Sequence, residues 1–210
     1  MAQGHGSLRD TAGAYYEGQW AGDERNGFGF SSQHRYVRVG EWQRDVYKDY
    51  AAARSRGYPV GSYHFFSPAT GGAVQAAAFL AHTRFQKGDL PPVLDLEPLP
   101  SQVARMGGAA EMWERARDWL RVVERRTGMR PMLYIGQQFV NRYLDAAPDI
   151  KRDYPVWIAR YGEYKPDVRL WVWQLAPDGR VAGIHGAVDI NVFNGYGNEF
   201  RRWLERVGRR

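Results

Sequence analysis

Pro92-Val93-Leu94-Asp95-Leu96-Glu97-Pro98 reads as a short apolar strand that carries two carboxylates. Side chains two apart in a strand share a face, so Asp95 and Glu97 fall on one side and Leu94 and Leu96 on the other. At about 3.3 Å rise per residue, the Cα atoms of the acidic pair lie roughly 6.6 Å apart. Carboxyl groups held that close repel when both are ionised, which raises the proton affinity of one of them. Acid-catalysed cleavage of a glycosidic bond uses this arrangement, because one carboxyl keeps a proton to donate while another stays charged. An apolar D-x-E strand also fits metal binding, or acids that are merely solvated or cap a helix. The pair alone leaves these open.

Outward from this strand, strands and helices alternate. Residues 60–66 read as a strand after a helical 50–54, and 73–85 as an alanine-rich helix. Residues 111–126 form an amphipathic helix with Trp113, Ala116, Leu120 and Val123 on one stripe and Gly128 as its terminator. A strand at 131–135 and a short helix at 139–144 follow, then strands at 155–160, 170–175 and 187–192, and a last helix at 198–207. Such alternation predicts an α/β fold with parallel pairing and functional groups at the C-terminal ends of the strands. Six strands are visible here, fewer than a closed eight-stranded barrel needs.

Residues 1–48 follow a different pattern. Gly4-His5-Gly6 returns as Gly27-Phe28-Gly29, and Tyr16-Glu17-Gly18-Gln19-Trp20 returns as Arg38-Val39-Gly40-Glu41-Trp42. A period of 22–23 residues with paired glycines and aromatics predicts stacked β-hairpins. The region resembles MORN repeats, whose units carry Y-x-G-x-W followed by G-x-G. Two domains are therefore expected, 1–48 as MORN-like hairpins and 49–210 as the α/β portion.

Of 210 residues, 44% are hydrophobic and 14% aromatic, as in a folded globular protein with one sizeable core. Lys and Arg number 29 against 23 Asp and Glu, a net charge of +6 that favours anionic partners such as an acidic cell-wall polymer or a membrane surface. No arginine-rich arm or nucleic-acid motif occurs, so nucleic acid is not an expected partner, and a monomer is. Without cysteine, disulfides and thiolate metal sites are excluded. The N-terminus has no basic region followed by an apolar run, so any export is expected to use another route or a signal outside this sequence.

Several strands end in polar or aromatic residues: Tyr63-His64, Asp95 with Glu97, Tyr134, Trp157 with Tyr161, Trp173-Gln174, and Asp189 followed by Asn191. Aromatic faces among carboxylates suit a carbohydrate, whose C–H faces stack on rings while its hydroxyls and amides take hydrogen bonds. Tyr63, Trp157 and Trp173 also fit a core, His64 reads as a hydrogen-bonded core histidine, and Asp189 fits a turn cap.

The order of these pieces resembles the glycoside hydrolase family 25 lysozymes. The matching segments are Gly61-Ser62-Tyr63-His64-Phe65-Phe66, Val93-Leu94-Asp95-Leu96-Glu97, Thr127-Gly128-Met129-Arg130-Pro131-Met132-Leu133-Tyr134 and Val156-Trp157-Ile158-Ala159-Arg160-Tyr161. Trp171-Val172-Trp173-Gln174 and the run from Gly183 to Phe193 complete the series, which covers residues 50–195. The resemblance implies an irregular (β/α) barrel of lysozyme type that acts at the cell wall, cleaving the β-1,4 bond between N-acetylmuramic acid and N-acetylglucosamine of peptidoglycan. It implies Glu97 as proton donor, with Asp95 and Asp189 as acidic partners that tune it and stabilise developing positive charge. The substrate's own 2-acetamido group would attack in one scheme, with an aspartate orienting it. Tyr63, Tyr134, Trp157, Tyr161, Trp173 and Gln174 would line the sugar groove, and neither cofactor nor metal is required. The family's usual opening strand, D-x-S-x-x-Q-G, and a second strand ending near A-T-E-G are absent. Asp10, Glu17 and Asp23 are the nearest stand-in acids for the first. An incomplete barrel, weakened catalysis, or a module that binds glycan without cutting it are the corresponding expectations.

Overall fold

The computed structural model describes the strands between Gly4 and Tyr47, and residues 53–159, 168–180 and 187–207. The chain divides into two compact units, Met1–Val60 and Gly61–Arg210. The first holds β1 (Gly4–Arg9), β2 (Tyr15–Ala21), β3 (Glu24–Gln33), β4 (Tyr36–Gln43) and β5 (Val46–Tyr47), paired in chain order as an antiparallel meander. Connections of two to five residues permit no other pairing, since parallel strands need a crossover of a dozen residues or more. The sequence period thus corresponds to one strand pair.

The second unit is α/β. Its sheet contains β6 (Tyr63–Phe65), β7 (Val93–Asp95), β8 (Met132–Gly136), β9 (Val156–Ala159), β10 (Leu170–Gly179) and β11 (Val188–Phe193), adjacent in chain order. The pairs from β6 to β10 are parallel, as the alternation predicts. β11 departs from that expectation and runs antiparallel to β10. The reason lies in the connection. Residues 180–187 are too few for a helical crossover, so the chain can only turn back.

The helices are α1 (Gly72–Ala81), α2 (Pro100–Arg105), α3 (Ala109–Thr127), α4 (Gln137–Tyr143), α5 (Pro148–Asp153) and α6 (Gly197–Val207). α3 buries Met112, Trp113, Ala116, Trp119, Leu120 and Val123 along one stripe. It stops where Gly128 takes φ 69° and its N–H reaches the Glu124 carbonyl, as its position in the sequence suggests. α1 packs so closely on α3 that a Cβ on Gly72 would lie 1.8 Å from the Arg115 carbonyl oxygen, so no other residue fits there. α1 ends at Ala81 rather than at residue 85, with the Thr83 hydroxyl donating to the Phe79 carbonyl at 2.9 Å. The periodicity did not reveal α2 and α5, although each begins with proline in its first turn, a recognisable start signal.

The two faces of the sheet differ. One face contributes Phe66, Leu94, Leu96, Leu133, Ile135, Val156 and Ile158 to a core shared with Phe79, Trp113, Trp119, Leu120, Val123, Phe139 and Leu144 of the helices and turns on that side. The other buries Val93 and Met132 against Trp203 of α6, with Val172, Phe193, Phe200 and Leu204 packed around them. Burying each such aliphatic side chain contributes about 1.5–3 kcal/mol. α6 therefore covers the lower part of this second face, and its upper part is left for polar residues.

Candidate active site

In parallel pairing, residues in register share a face. The register Phe65–Asp95–Tyr134–Trp157 crosses β6 to β9, and Gln174 stands between Ala159 of β9 and Asn191 of β11. Two residues nearer the strand starts, Tyr63, Val93 and Met132 occupy the same face. The α6-covered floor and the polar row thus belong to one surface, with the row towards the C-terminal ends of the parallel strands, where α/β folds place their chemistry.

Within that row the groups interlock. The Tyr134 hydroxyl donates to Gln174 Oε1 at 2.7 Å, and Trp157 Nε1 donates to Asn191 Oδ1 at 2.8 Å. The Tyr134 and Trp157 rings meet edge to face, with centroids 5.2 Å apart. Gln174 is buried, so its amide is a fixed element of the wall. Asn191, a polar strand-end residue that the family resemblance does not itself assign to the groove, joins this wall. It lies opposite Gln174 across the antiparallel β10–β11 pair, a placement that sequence order does not reveal.

Asp95 closes β7 and Glu97 follows two residues later, with the Leu96 N–H donating to the Tyr134 carbonyl at 2.9 Å. Asp95 is half-buried, and its Oδ1 is enclosed without a hydrogen-bond partner among the described residues. Burial, aided by the Glu97 charge, pushes the Asp95 carboxyl up to about 7. Glu97 is more exposed, and partial desolvation moves it above the ordinary glutamate range as well. The pair therefore holds a proton to near neutral pH. The Glu97 carboxylate reaches over the end of β8, where a Cβ on Gly136 would lie 3.9 Å from its Oε1. Gly136 thus leaves space beside the acid.

The other expected residues are distributed as follows. Tyr63 is 59% exposed on the edge strand β6, on the same face as Asp95. Asp189 is exposed on β11, two residues before Asn191. Because β11 runs antiparallel, its start lies at the same end of the sheet as Asp95. Trp173 is a correction. It pairs with Ile158 and packs against the helix-side core, so it stands on the opposite face from Gln174. Adjacent strand residues cannot both face one groove. Tyr161 lies outside the described residues. His64 faces the helix side, as its core reading predicts. Its Nε2 is 2.9 Å from Gln75 Oε1, and its ring stacks on Trp119 at 5.7 Å. Burial lowers its pKa, which keeps it neutral. Gln75 is itself saturated, since Nε2 donates to the Ser67 and Thr70 carbonyls and Oε1 also accepts from the Ser67 N–H.

Residues 39–184 match the glycosyl hydrolases family 25. The chain belongs to that family. It is 34% identical over 186 residues to the uncharacterized protein YegX of Escherichia coli O6:H1, covering 85% of this chain and 65% of YegX. It is 30% identical over 192 residues to Lysozyme M1 of Streptomyces globisporus, covering 84% of this chain and 63% of that protein. The chain thus spans a little under two thirds of the length of these curated relatives. Among solved structures, the bacterial lysozyme from Streptomyces coelicolor superposes with a TM-score of 0.65 at 28% identity, over 76% of this chain and 78% of the other. The family 25 glycosyl hydrolase from Bacillus anthracis gives a TM-score of 0.63 at 29% identity, over 74% and 73%. Six strands in the same mixed α/β arrangement are therefore a family 25 fold.

Proposed function

We propose that this chain is a peptidoglycan hydrolase that cleaves the β-1,4 bond between N-acetylmuramic acid and N-acetylglucosamine. The observation that carries this reading is the Asp95–Glu97 pair at the end of β7, retaining a proton beside a wall of Tyr134, Trp157, Gln174 and Asn191. Its family membership and its likeness to proteins named lysozymes support the same reading.

Cleavage of a glycosidic bond leaves an alkoxide on one sugar and positive charge on the other, so it needs a proton and a nearby negative charge. Glu97, exposed and with raised proton affinity, donates to the leaving oxygen. Asp95 shares the proton of the pair, and the water whose oxygen bonds to the anomeric carbon gives up the proton that restores it. Asp189, at the same end of the sheet, supplies negative charge to the oxocarbenium side. Tyr63, Tyr134, Trp157, Tyr161 and Gln174 form the groove, with ring faces for the sugar C–H surfaces and amides for its polar groups. The second unit is read as a barrel portion of lysozyme type, with residues 1–48 as MORN-like hairpins preceding a region from 49 to 210. The surplus of positive charge suits the anionic polymers of a bacterial wall, where the protein would act. No helix among the described residues is long and apolar enough to cross a membrane.

The test compares wild type with Glu97→Gln on insoluble peptidoglycan, following both new reducing ends and co-sedimentation. Release of reducing ends by wild type and its loss in the variant is the expected result. Equal release by both rules out Glu97 as the acid, and binding without release by either makes the chain a glycan-binding module.

A further inference from the structure

Trp157 and Asn191 meet across an intervening strand. Trp157 stands on β9 in register with Val172 of β10, and Asn191 stands on β11 opposite Gln174 of β10. Their strands are therefore two spacings apart, roughly 9–10 Å, with β10 between them. A bond of 2.8 Å from Trp157 Nε1 to Asn191 Oδ1 requires the indole to lean over β10, from the level of Val172 to that of Gln174. That lean carries it towards the end of the sheet where Asp95 and Glu97 stand. On the β8 side, Tyr134 meets the same indole edge to face, with its own hydroxyl on Gln174. A hydrogen bond on one side and a ring contact on the other confine a side chain of two rotatable bonds to one orientation.

Satisfying a buried donor does not explain this bond. Trp113 shows that case, because its indole is buried and its Nε1 donates to the Tyr143 carbonyl at 3.0 Å. The bond between Trp157 and Asn191 lies at the exposed surface, where water would serve the N–H nearly as well. Its contribution is then orientation. The atoms also fix the polarity of the amide. An indole nitrogen only donates, so Asn191 must present Oδ1 to it and turn Nδ2 away. Nδ2 lies 3.4 Å from the Asp189 carbonyl, which ties the amide to the part of β11 that bears that acid. With its single N–H taken, Trp157 can offer a sugar only its ring.

We propose that Asn191 is a positioning residue of the groove, which holds Trp157 over β10 so that the indole meets a sugar by stacking alone. The inference rests on the proposed function, since it takes this groove to be the one that binds glycan. A ring that is already held loses little rotamer freedom when a ligand arrives, so the anchor lowers the cost of the stacking contact. Without the anchor, Trp157 keeps its place on β9 but is free to rotate, and affinity falls although no aromatic has been removed.

One readout of the test needs no glycan. In a proton–nitrogen correlation spectrum of the full chain, the Trp157 indole signal is identified by its loss in Trp157→Phe. Asn191→Ala should move that signal upfield and speed its exchange with water, and Asn191→Asp, which keeps an acceptor oxygen, should restore both. Asn191 is exposed, so these variants spare the core. Binding is then read by co-sedimentation with insoluble peptidoglycan in chains carrying Glu97→Gln, which do not consume the polymer. Asn191→Ala should weaken it about fivefold, the worth of one hydrogen bond, and Asn191→Asp should weaken it less. In a chain that also carries Trp157→Phe, Asn191→Ala should have no further effect, because phenylalanine has no N–H to anchor. With Glu97 intact, Asn191→Ala should raise KM by a similar factor and change kcat less. An unaltered indole signal in Asn191→Ala overturns the proposal. An equal loss of binding with and without Trp157→Phe also overturns it, because Asn191 then acts on the glycan without Trp157. If wild type neither binds nor cleaves peptidoglycan, the proposed function fails and the stacking role with it, while the indole signal still decides whether Asn191 holds the ring.

Discussion

The two faces of the six-stranded sheet are made by alternate residues of the same strands, yet they serve different ends. On the helix side the alternation is apolar from bottom to top, through Leu94, Leu133, Ile135 and Ile158, all fully buried. On the α6 side it is apolar at Val93 and Met132, then changes within one residue pair to Asp95 and Tyr134. The first face provides stability. The second gives up the apolar burial of its upper positions so that carboxylates and amides can be held there, which is how a rigid scaffold positions a reactive site.

Four substitutions break or sharpen this contrast. Glu97→Gln strikes the upper site and should reduce turnover on peptidoglycan about 10²–10⁴-fold, or roughly 3–5 kcal/mol of barrier, with no loss in melting midpoint. Leu133→Ala strikes the opposite face at the same strand and should cost about 2–5 kcal/mol in denaturant unfolding, while the KM of the folded fraction is preserved. A KM change as large as the stability loss would show that the faces are not independent.

Asp95→Asn probes the boundary between them. Its carboxyl, raised to about 7, retains in the folded state a proton that the unfolded chain releases near pH 4. The folded state thus binds more protons across that window, and stability falls as pH rises from about 4 to 7. The asparagine variant should lose this slope and gain about 2 kcal/mol over wild type at pH 8, the full shift being discounted for partial exposure. Unfolding curves at pH 4 and pH 8 that differ equally for both proteins would contradict it. Turnover by wild type should decline as pH rises through about 7, where the pair loses its proton. Tyr134→Phe is the mildest change. It leaves the buried Gln174 Oε1 without its donor and should cost about 1 kcal/mol, with a small rise in KM and little effect on kcat.

Much of this architecture was readable from residue order. All six strands of the sheet were visible, because each is a short apolar run bounded by Gly, Pro or polar turns. The end of α3 was visible in Gly128, and the core role of His64 in its apolar neighbours. The direction of β11 is not legible in strand content, which says nothing of pairing, and lies instead in the short connection at residues 180–187, which rules out a crossover. Family order alone puts Trp173 in the groove, whereas its odd position relative to Gln174 sends it to the other face. Gly136 matters only through Glu97, 39 residues away, and no local pattern marks it, whereas Asn191 is legible as a polar strand-end residue but takes its partner, Trp157, from 34 residues away.

By itself, then, the sequence determined which residues could do the chemistry, since a D-x-E strand places two acids on one side whatever surrounds it. It also determined that the first unit repeats with glycines and aromatics at fixed offsets. Tertiary structure decided the rest. The enclosure of Asp95 is a property of the packed sheet, and desolvation gives that carboxyl its raised proton affinity. The wall of Tyr134, Trp157, Gln174 and Asn191 exists only where four strands lie in register, because register is a relation between strands and no single strand contains it.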